Sequence, residues 1–184
     1  MPASSDSADQ RLPRLRRVVT GHDEAGRSVV LIDGPCFFHG DISGRGWNVQ
    51  DIWESESVPV RLDPTEPDPT EGPVHFGIPE NGIRVRVTDI PPTAPGAEPF
   101  MHRTNSIDYL HVLEGEIAML LDDDEHEVVL RKGDTIVQRA TNHAWVNRTQ
   151  EHCRVLVIMI AGRATEALEK VIGPMPAWDP NHRR

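Results

Sequence analysis

Three side chains in the second half of the chain have the types and spacing of metal ligands: His102, Asp108 and His143. His102 closes a proline-rich segment. Asp108 stands near the head of an apolar run, Ile107-Asp-Tyr-Leu-His-Val-Leu113, and His143 opens a second run after the polar turn Ala140-Thr141-Asn142. A carboxylate leading into an apolar strand is costly to bury unless it is paired or metal-bound. Two imidazoles and one carboxylate that converge form a facial triad with vacant coordination positions. Such a triad takes one divalent ion per chain. Fe(II) is the preferred reading, and Zn, Mn, Ni or Co suit the same donors. With Fe(II), the vacant positions would accept a bidentate substrate and O2. With Zn(II), the ion would polarise a carbonyl or lower the pKa of a bound water.

The neighbours of that set follow from strand parity. Trp145 and Asn147 share a face with His143, which offers Trp145 either as a stacking surface for a substrate ring or as core filling. Gln138 lies on the approach to the same turn. Arg84 and Arg86 alternate with Ile83, Val85 and Val87, so the two arginines occupy one face. Turned inward, that face would clamp a substrate carboxylate; turned outward, it would be solvated. Arg103, beside His102, has the same two readings. Tyr109 and His111 alternate away from Asp108 and belong to the opposite sheet surface or a subunit interface.

The elements that must position these groups are short strands. The runs 16–20 and 28–33 are β-branched and read as a hairpin. Residues 34–48 are glycine-rich and read as loop, and 50–54 as a short strand. Five prolines in 58–73 exclude regular structure there and suggest a flexible excursion or a lid. Strands are then expected at 83–89, 107–113, 116–121, 126–130, 135–138, 143–147 and 153–160, with glycine or acidic turns between most of them. One helix is expected, at 164–172, stopped by Gly173 and Pro174. Many short strands with regular turns mean an all-β sandwich or small barrel. The chain divides into an arm (1–14), N-terminal strands with the proline-rich loop (15–95), a core (96–162) and a C-terminal helix with tail (163–184).

Composition bounds the function. The chain has 184 residues and a net charge of −10, from 29 acids and 19 bases. An acidic chain repels nucleic acid and anionic membranes, so neither is expected as a partner. Its basic cluster, Arg11, Arg14, Arg16 and Arg17, reads as a solvated N-terminal tail. Two cysteines, Cys36 and Cys153, lie in apolar stretches and read as buried free thiols. No apolar run is long enough to span a bilayer, and the acidic N-terminus fits neither a signal nor a transit peptide, so a cytoplasmic protein is expected. His22, His39, His75, His126, His152 and His182 have no partners at ligand spacing. There is no phosphate loop, nucleophile elbow or zinc ribbon.

Two segments resemble the paired motifs of the cupin superfamily. Gly96-x5-His102-x-Thr104-x3-Asp108-x6-Gly115 is similar to the first. Gly133 through Gln138-Arg-Ala140-Thr-Asn-His143-x3-Asn147 is similar to the second. The resemblance covers roughly residues 83–162. It implies a double-stranded β-helix, or jelly roll, with a metal at its centre. The departures are specific. Thr104 stands where many cupins have a second histidine, and its hydroxyl becomes a substrate-binding candidate. Asp108 replaces glutamate, and Gln138 and Ala140 replace the second motif's proline and glycine. The ligand set the resemblance implies is therefore His102, Asp108 and His143.

Cupins of this single-barrel kind are commonly dimers, which makes a homodimer the expectation, with 28–33 as the pairing strand. The reading drawn from these residues is a metal-dependent enzyme acting on a small anionic or aromatic metabolite, by Fe(II) oxygenase-like chemistry. A non-oxidative lyase, decarboxylase or isomerase using Zn or Mn is the alternative. A metal-independent binding module and a structural or storage cupin are the others.

Overall fold

The computed structural model describes residues 13–41, 44–72, 77–123 and 127–175. The polar arm with Arg11, together with His75, His126, His182 and the tail beyond residue 175, lies outside the described residues.

The two β-branched runs pair antiparallel as β1 (Arg16–His22) and β2 (Ser28–Pro35). Asp23 closes their turn by accepting from the backbone N–H groups of Ala25 and Arg27, each at 2.9 Å. β3 (Phe37–Asp41) lies inside the stretch expected to be loop. It pairs with β4 (Asn48–Ser55) through a bulge between Phe38 and Gly40. Gly40 takes the positive φ of 72° at this bulge, so the glycines that suggest loop mark an interrupted strand.

The remaining strands fall where the sequence places them: β5 (Ile83–Ile90), β6 (Ser106–Glu114), β7 (Glu116–Leu120), β8 (Glu127–Arg131), β9 (Thr135–Arg139), β10 (Ala144–Val146) and β11 (Cys153–Ala161). They form a six-stranded sheet, β3-β4-β5-β11-β6-β9, and a three-stranded sheet, β10-β7-β8. Gly115 is the joint where the chain passes from β6 in one sheet to β7 in the other. Its φ is 80°, and a Cβ there would lie 2.9 Å from the His152 carbonyl oxygen. The two sheets face each other as a double-stranded β-helix. The core between them joins Ile90, Leu110, Val112, Cys153 and Val155 of the larger sheet to Ile117 and Leu130 of the smaller. Both thiols are fully buried and free, as expected.

The N-terminal hairpin is fastened by polar contacts, which corrects the reading of its arginines as a solvated tail. Arg17 is buried. It donates to the Ile52 carbonyl at 2.9 Å and to Thr70 Oγ1 at 3.0 Å, and forms an ion pair with Asp68. The proline-rich segment, irregular as expected, is thereby tied to β1, and the His22 N–H bonds the Pro64 carbonyl at 3.0 Å. Arg14 and Arg16 are exposed; Arg14 Nε donates to the Cys36 carbonyl at 3.1 Å, and Arg16 pairs with Asp33 at 2.6 Å.

The helix α1 (Glu166–Ile172) starts two residues later than expected because Thr165 is its N-cap, accepting from the Leu168 N–H. Gly173 closes it. No side chain of α1 is buried, and Arg103 holds its end by donating to the Ile172 carbonyl at 3.2 Å. No helix among the described residues is long and apolar enough to cross a membrane.

Candidate functional site

His102 and His143 are brought together by their backbones. The two residues form an antiparallel bridge in which each N–H bonds the other's carbonyl at 2.9 Å. Their ring centroids lie 4.2 Å apart, tilted by 52°. Each ring is oriented from behind. His102 Nδ1 lies 3.0 Å from the Phe100 carbonyl oxygen, and His143 Nδ1 lies 3.0 Å from that of Thr141. A carbonyl can only accept, so Nδ1 carries the proton in both rings and the lone pair sits on Nε2. Neither Nε2 has a hydrogen-bond partner among the described residues. Imidazoles that bind metals are oriented in this way. Burial, followed by the adjacent His102 ring, pushes His143 down to about 4. Burial also lowers His102, against the Phe100 carbonyl and with help from Arg45. Both rings are therefore neutral near pH 7.

Asp108 is buried on β6. Its Oδ2 accepts from the Thr104 hydroxyl at 3.2 Å, and Ser106 Oγ in turn donates to Thr104 Oγ1 at 2.8 Å. Oδ1 is buried with no hydrogen-bond partner. Burial raises the carboxyl above its ordinary range, partly countered by the Ser106 and Thr104 hydroxyls. A buried carboxylate oxygen without a partner is expensive, and in a native protein it calls for a cation or a proton. Among the described residues, no three His, Cys, Asp or Glu side chains are gathered in metal-holding geometry. The structure gathers the two imidazoles, and Asp108 stands apart from them on Thr104.

Further neighbours run from Asp108 to the histidines. Gln138 lies directly opposite Asp108 across β6 and β9, on the same face. It is buried, and its Nε2 lies 3.7 Å from Met119 Sδ. Met119 is directly opposite Trp145 across β7 and β10. Trp145 meets His143 edge-on at 5.7 Å and also packs against the core. The chain of contacts ends at His102, which meets His143 and Phe100. Sequence reasoning missed Met119, which reads there only as one apolar residue in a strand. It also missed Phe100, which stacks on His102 with centroids 4.9 Å apart and planes at 18°.

Arg84 and Arg86 face inward. Arg84 lies on one cross-strand row with Met159 and Asp108, and Arg86 lies one step along the same face. Both are buried and already hold carboxylates of the chain. Arg86 Nε is 2.9 Å from Asp51 Oδ1, and Arg84 is paired with Glu54. Tyr109 lies on the outer surface, partly exposed.

The cupin-domain family profile matches residues 86–159. A phomopsin biosynthesis cluster protein, C', of Diaporthe leptostromiformis is 32% identical over 176 residues, covering 91% of this chain and 90% of the relative. The chain belongs to the cupin family. Two further relatives of this cupin are described as cupin-domain-containing oxidoreductases. One is fogC of Aspergillus ruber, 37% identical over 142 residues, covering 75% of this chain and 66% of the relative. The other is virC of Hypocrea virens, 36% identical over 145 residues, covering 74% and 71%.

The motif departures in this cupin now have positions. Ala140, at the motif glycine, adopts a positive φ of 53°, a conformation that costs a residue with a Cβ roughly 1 kcal/mol. The motif asparagine, Asn147, is fully buried. It donates to the carbonyls of Ile90 and Glu151, at 2.9 and 2.8 Å, and accepts from Thr149, so it braces a turn. Thr104, at the position of the absent histidine, bonds the carboxylate instead.

Proposed function

We propose that this cupin is a metal-dependent oxidoreductase acting on a small anionic or aromatic metabolite, with Fe(II) held by His102, His143 and Asp108. The observation that carries this reading is the pair of neutral imidazoles, each with Nδ1 fixed on a carbonyl and Nε2 unpartnered, together with a carboxylate whose Oδ1 is buried and unsatisfied. The donor set fits a divalent ion, although the three side chains are not gathered around one point. The description of two relatives as oxidoreductases supports the reaction class. Bound Fe(II) supplies electron transfer towards O2 and vacant positions for a chelating substrate.

The chain's own residues hold and enclose. The Phe100 and Thr141 carbonyls fix the tautomers of the two rings. Thr104 holds Asp108 by Oδ2 and leaves Oδ1 to face a cation. Trp145 and Phe100 provide flat apolar surface on either side of the histidines. The buried Gln138 amide, opposite Asp108, is a polar contact for substrate.

Elemental analysis of purified, tag-free protein tests this. One iron per chain is expected, lost in both His102→Ala and His143→Ala, and substrate-dependent O2 uptake would then follow the iron. Protein that holds no divalent metal even after anaerobic reconstitution overturns the reading.

We also propose a homodimer paired through the β1–β2 hairpin. Val18 and Val30 are 48% and 56% exposed there, and neither outer edge of this two-stranded sheet is paired among the described strands. Light scattering on a sizing column should give twice the chain mass, and Val30→Asp should halve it.

A further inference from the structure

The outer face of the six-stranded sheet carries an apolar row that crosses five strands. Register sets Val137 (β9), Tyr109 (β6), Ile158 (β11), Val85 (β5) and Trp53 (β4) side by side. They alternate with the inward-facing Gln138, Asp108 and Arg84, so the row looks away from the barrel interior. The next row along is isoleucine on β6, β11 and β5. Tyr109 and Val137 are 37% and 49% exposed. Neither row contains a carboxylate, in a chain with 29 acids. The hairpin presents a second bare surface. Thr20 lies opposite Val30, and Val18 shares their face, one step along β1. All three are exposed. Asp33, opposite Val18, is neutralised by Arg16. The lead-in to the hairpin lies on the far end of the same sheet, where the Pro13 carbonyl accepts from Arg154 and the Leu15 N–H donates to Gln50 Oε1, each at 2.9 Å. Both surfaces are exposed within one chain, so the hairpin does not cover its own sheet.

We propose that each β1–β2 hairpin packs across the outer face of a second copy's six-stranded sheet, over the partner's Tyr109 and the partner's Val137. This rests on the reading of the hairpin as the dimer contact and names the other half of that contact. A two-fold axis makes the contact twice, each copy giving one hairpin and one sheet face, so neither surface stays in water. Both surfaces are flat and β-branched or aromatic, which suits sheet-on-sheet packing. A two-stranded sheet is marginal alone in water, and the partner's sheet gives the hairpin a second layer. Charge selects the same faces. Each copy carries −10, and like-charged molecules meet where acids are absent or neutralised. The sheet rows have none, and the hairpin's Asp33 is matched by Arg16. Edge-to-edge pairing of two hairpins would leave both apolar surfaces exposed.

The experiment is sedimentation velocity over a concentration series on the full chain. Wild type is compared with Val30→Asp, Val137→Lys and Val171→Asp, the last placing a charge on an exposed side chain of α1. Val30→Asp and Val137→Lys should each raise the dimer dissociation constant at least about tenfold, and Val171→Asp should leave it within about twofold. An equimolar mixture of Val30→Asp and Val137→Lys should form dimers again, because one contact then sets aspartate against lysine and the other is unaltered. That recovery also shows that both variants fold. Val137→Lys that stays dimeric while Val30→Asp dissociates overturns the sheet assignment and leaves the hairpin reading standing. Equal dissociation by Val171→Asp, or a mixture that stays monomeric, likewise overturns the proposal. A monomeric wild type overturns both readings.

Discussion

The backbones of His102 and His143 bond each other in both directions, at 2.9 Å, although 40 residues separate them in sequence. The pairing is made without any contribution from the rings, which lie 4.2 Å apart and are turned by their own Nδ1 contacts. Side-chain changes at either position should therefore leave the bridge in place and report on chemistry alone.

Asp108→Ala should abolish metal retention, read by elemental analysis, and preserve the β-rich circular dichroism spectrum. The side chain contributes one hydrogen bond, to Thr104, and its removal also deletes an unsatisfied buried oxygen. Little stability is lost when a poorly satisfied polar group is removed. Metal binding that survives this change would remove Asp108 from the ligand set.

Acid should destabilise the protein after chelation with EDTA. His143 is pushed down to about 4 when folded and titrates near 6.5 when unfolded. Below 6.5 the unfolded chain takes up a proton that the native site refuses. The stability held above 6.5 is thus lost as pH falls towards 4, by about 3 kcal/mol in full. Asp108, raised by burial, works with the opposite sign. Urea midpoints between pH 7.5 and 5 should fall in the wild type and fall less steeply in His143→Gln. Parallel slopes would mean that His143 titrates normally.

Ala140→Gly should raise stability by roughly 0.5–1 kcal/mol, since the native φ of 53° strains alanine more than the unfolded-state entropy of glycine costs. Thermal melting measures it, and a lower melting temperature would contradict it.

Asp51→Ala should cost about 3–5 kcal/mol by leaving the Arg86 guanidinium buried without its carboxylate. The double variant Asp51→Leu, Arg86→Met should recover most of that loss. Denaturant unfolding of the two variants decides the matter, and equal losses would assign the cost to packing.

Nearly all of the strands and the helix were legible because alternation and turn residues are local signals. β3 was not, since its bulge at Gly40 interrupts the alternation. The inward turn of Arg84 and Arg86 was legible only as an alternative. Parity puts both on one face, but only the acids of β4, 30 and 35 residues earlier, make that face habitable. The histidine pair was legible through motif spacing. Met119 was not, because its place beside Gln138 and Trp145 depends on two strand pairings at once. Phe100 and Arg45 were equally hidden, as members of a proline-rich segment and a glycine-rich turn.

Arg17 joins three distant parts of the chain: the first strand, the Ile52 carbonyl of β4, and Asp68 with Thr70 in the proline-rich excursion. These parts are therefore tied together as one unit. A chimera that exchanges only the strands from residue 83 onward would separate the buried guanidiniums of Arg84 and Arg86 from Glu54 and Asp51. Recombination that respects this fold must therefore carry β5 together with residues 16–72, and no seam falls between that block and residue 83.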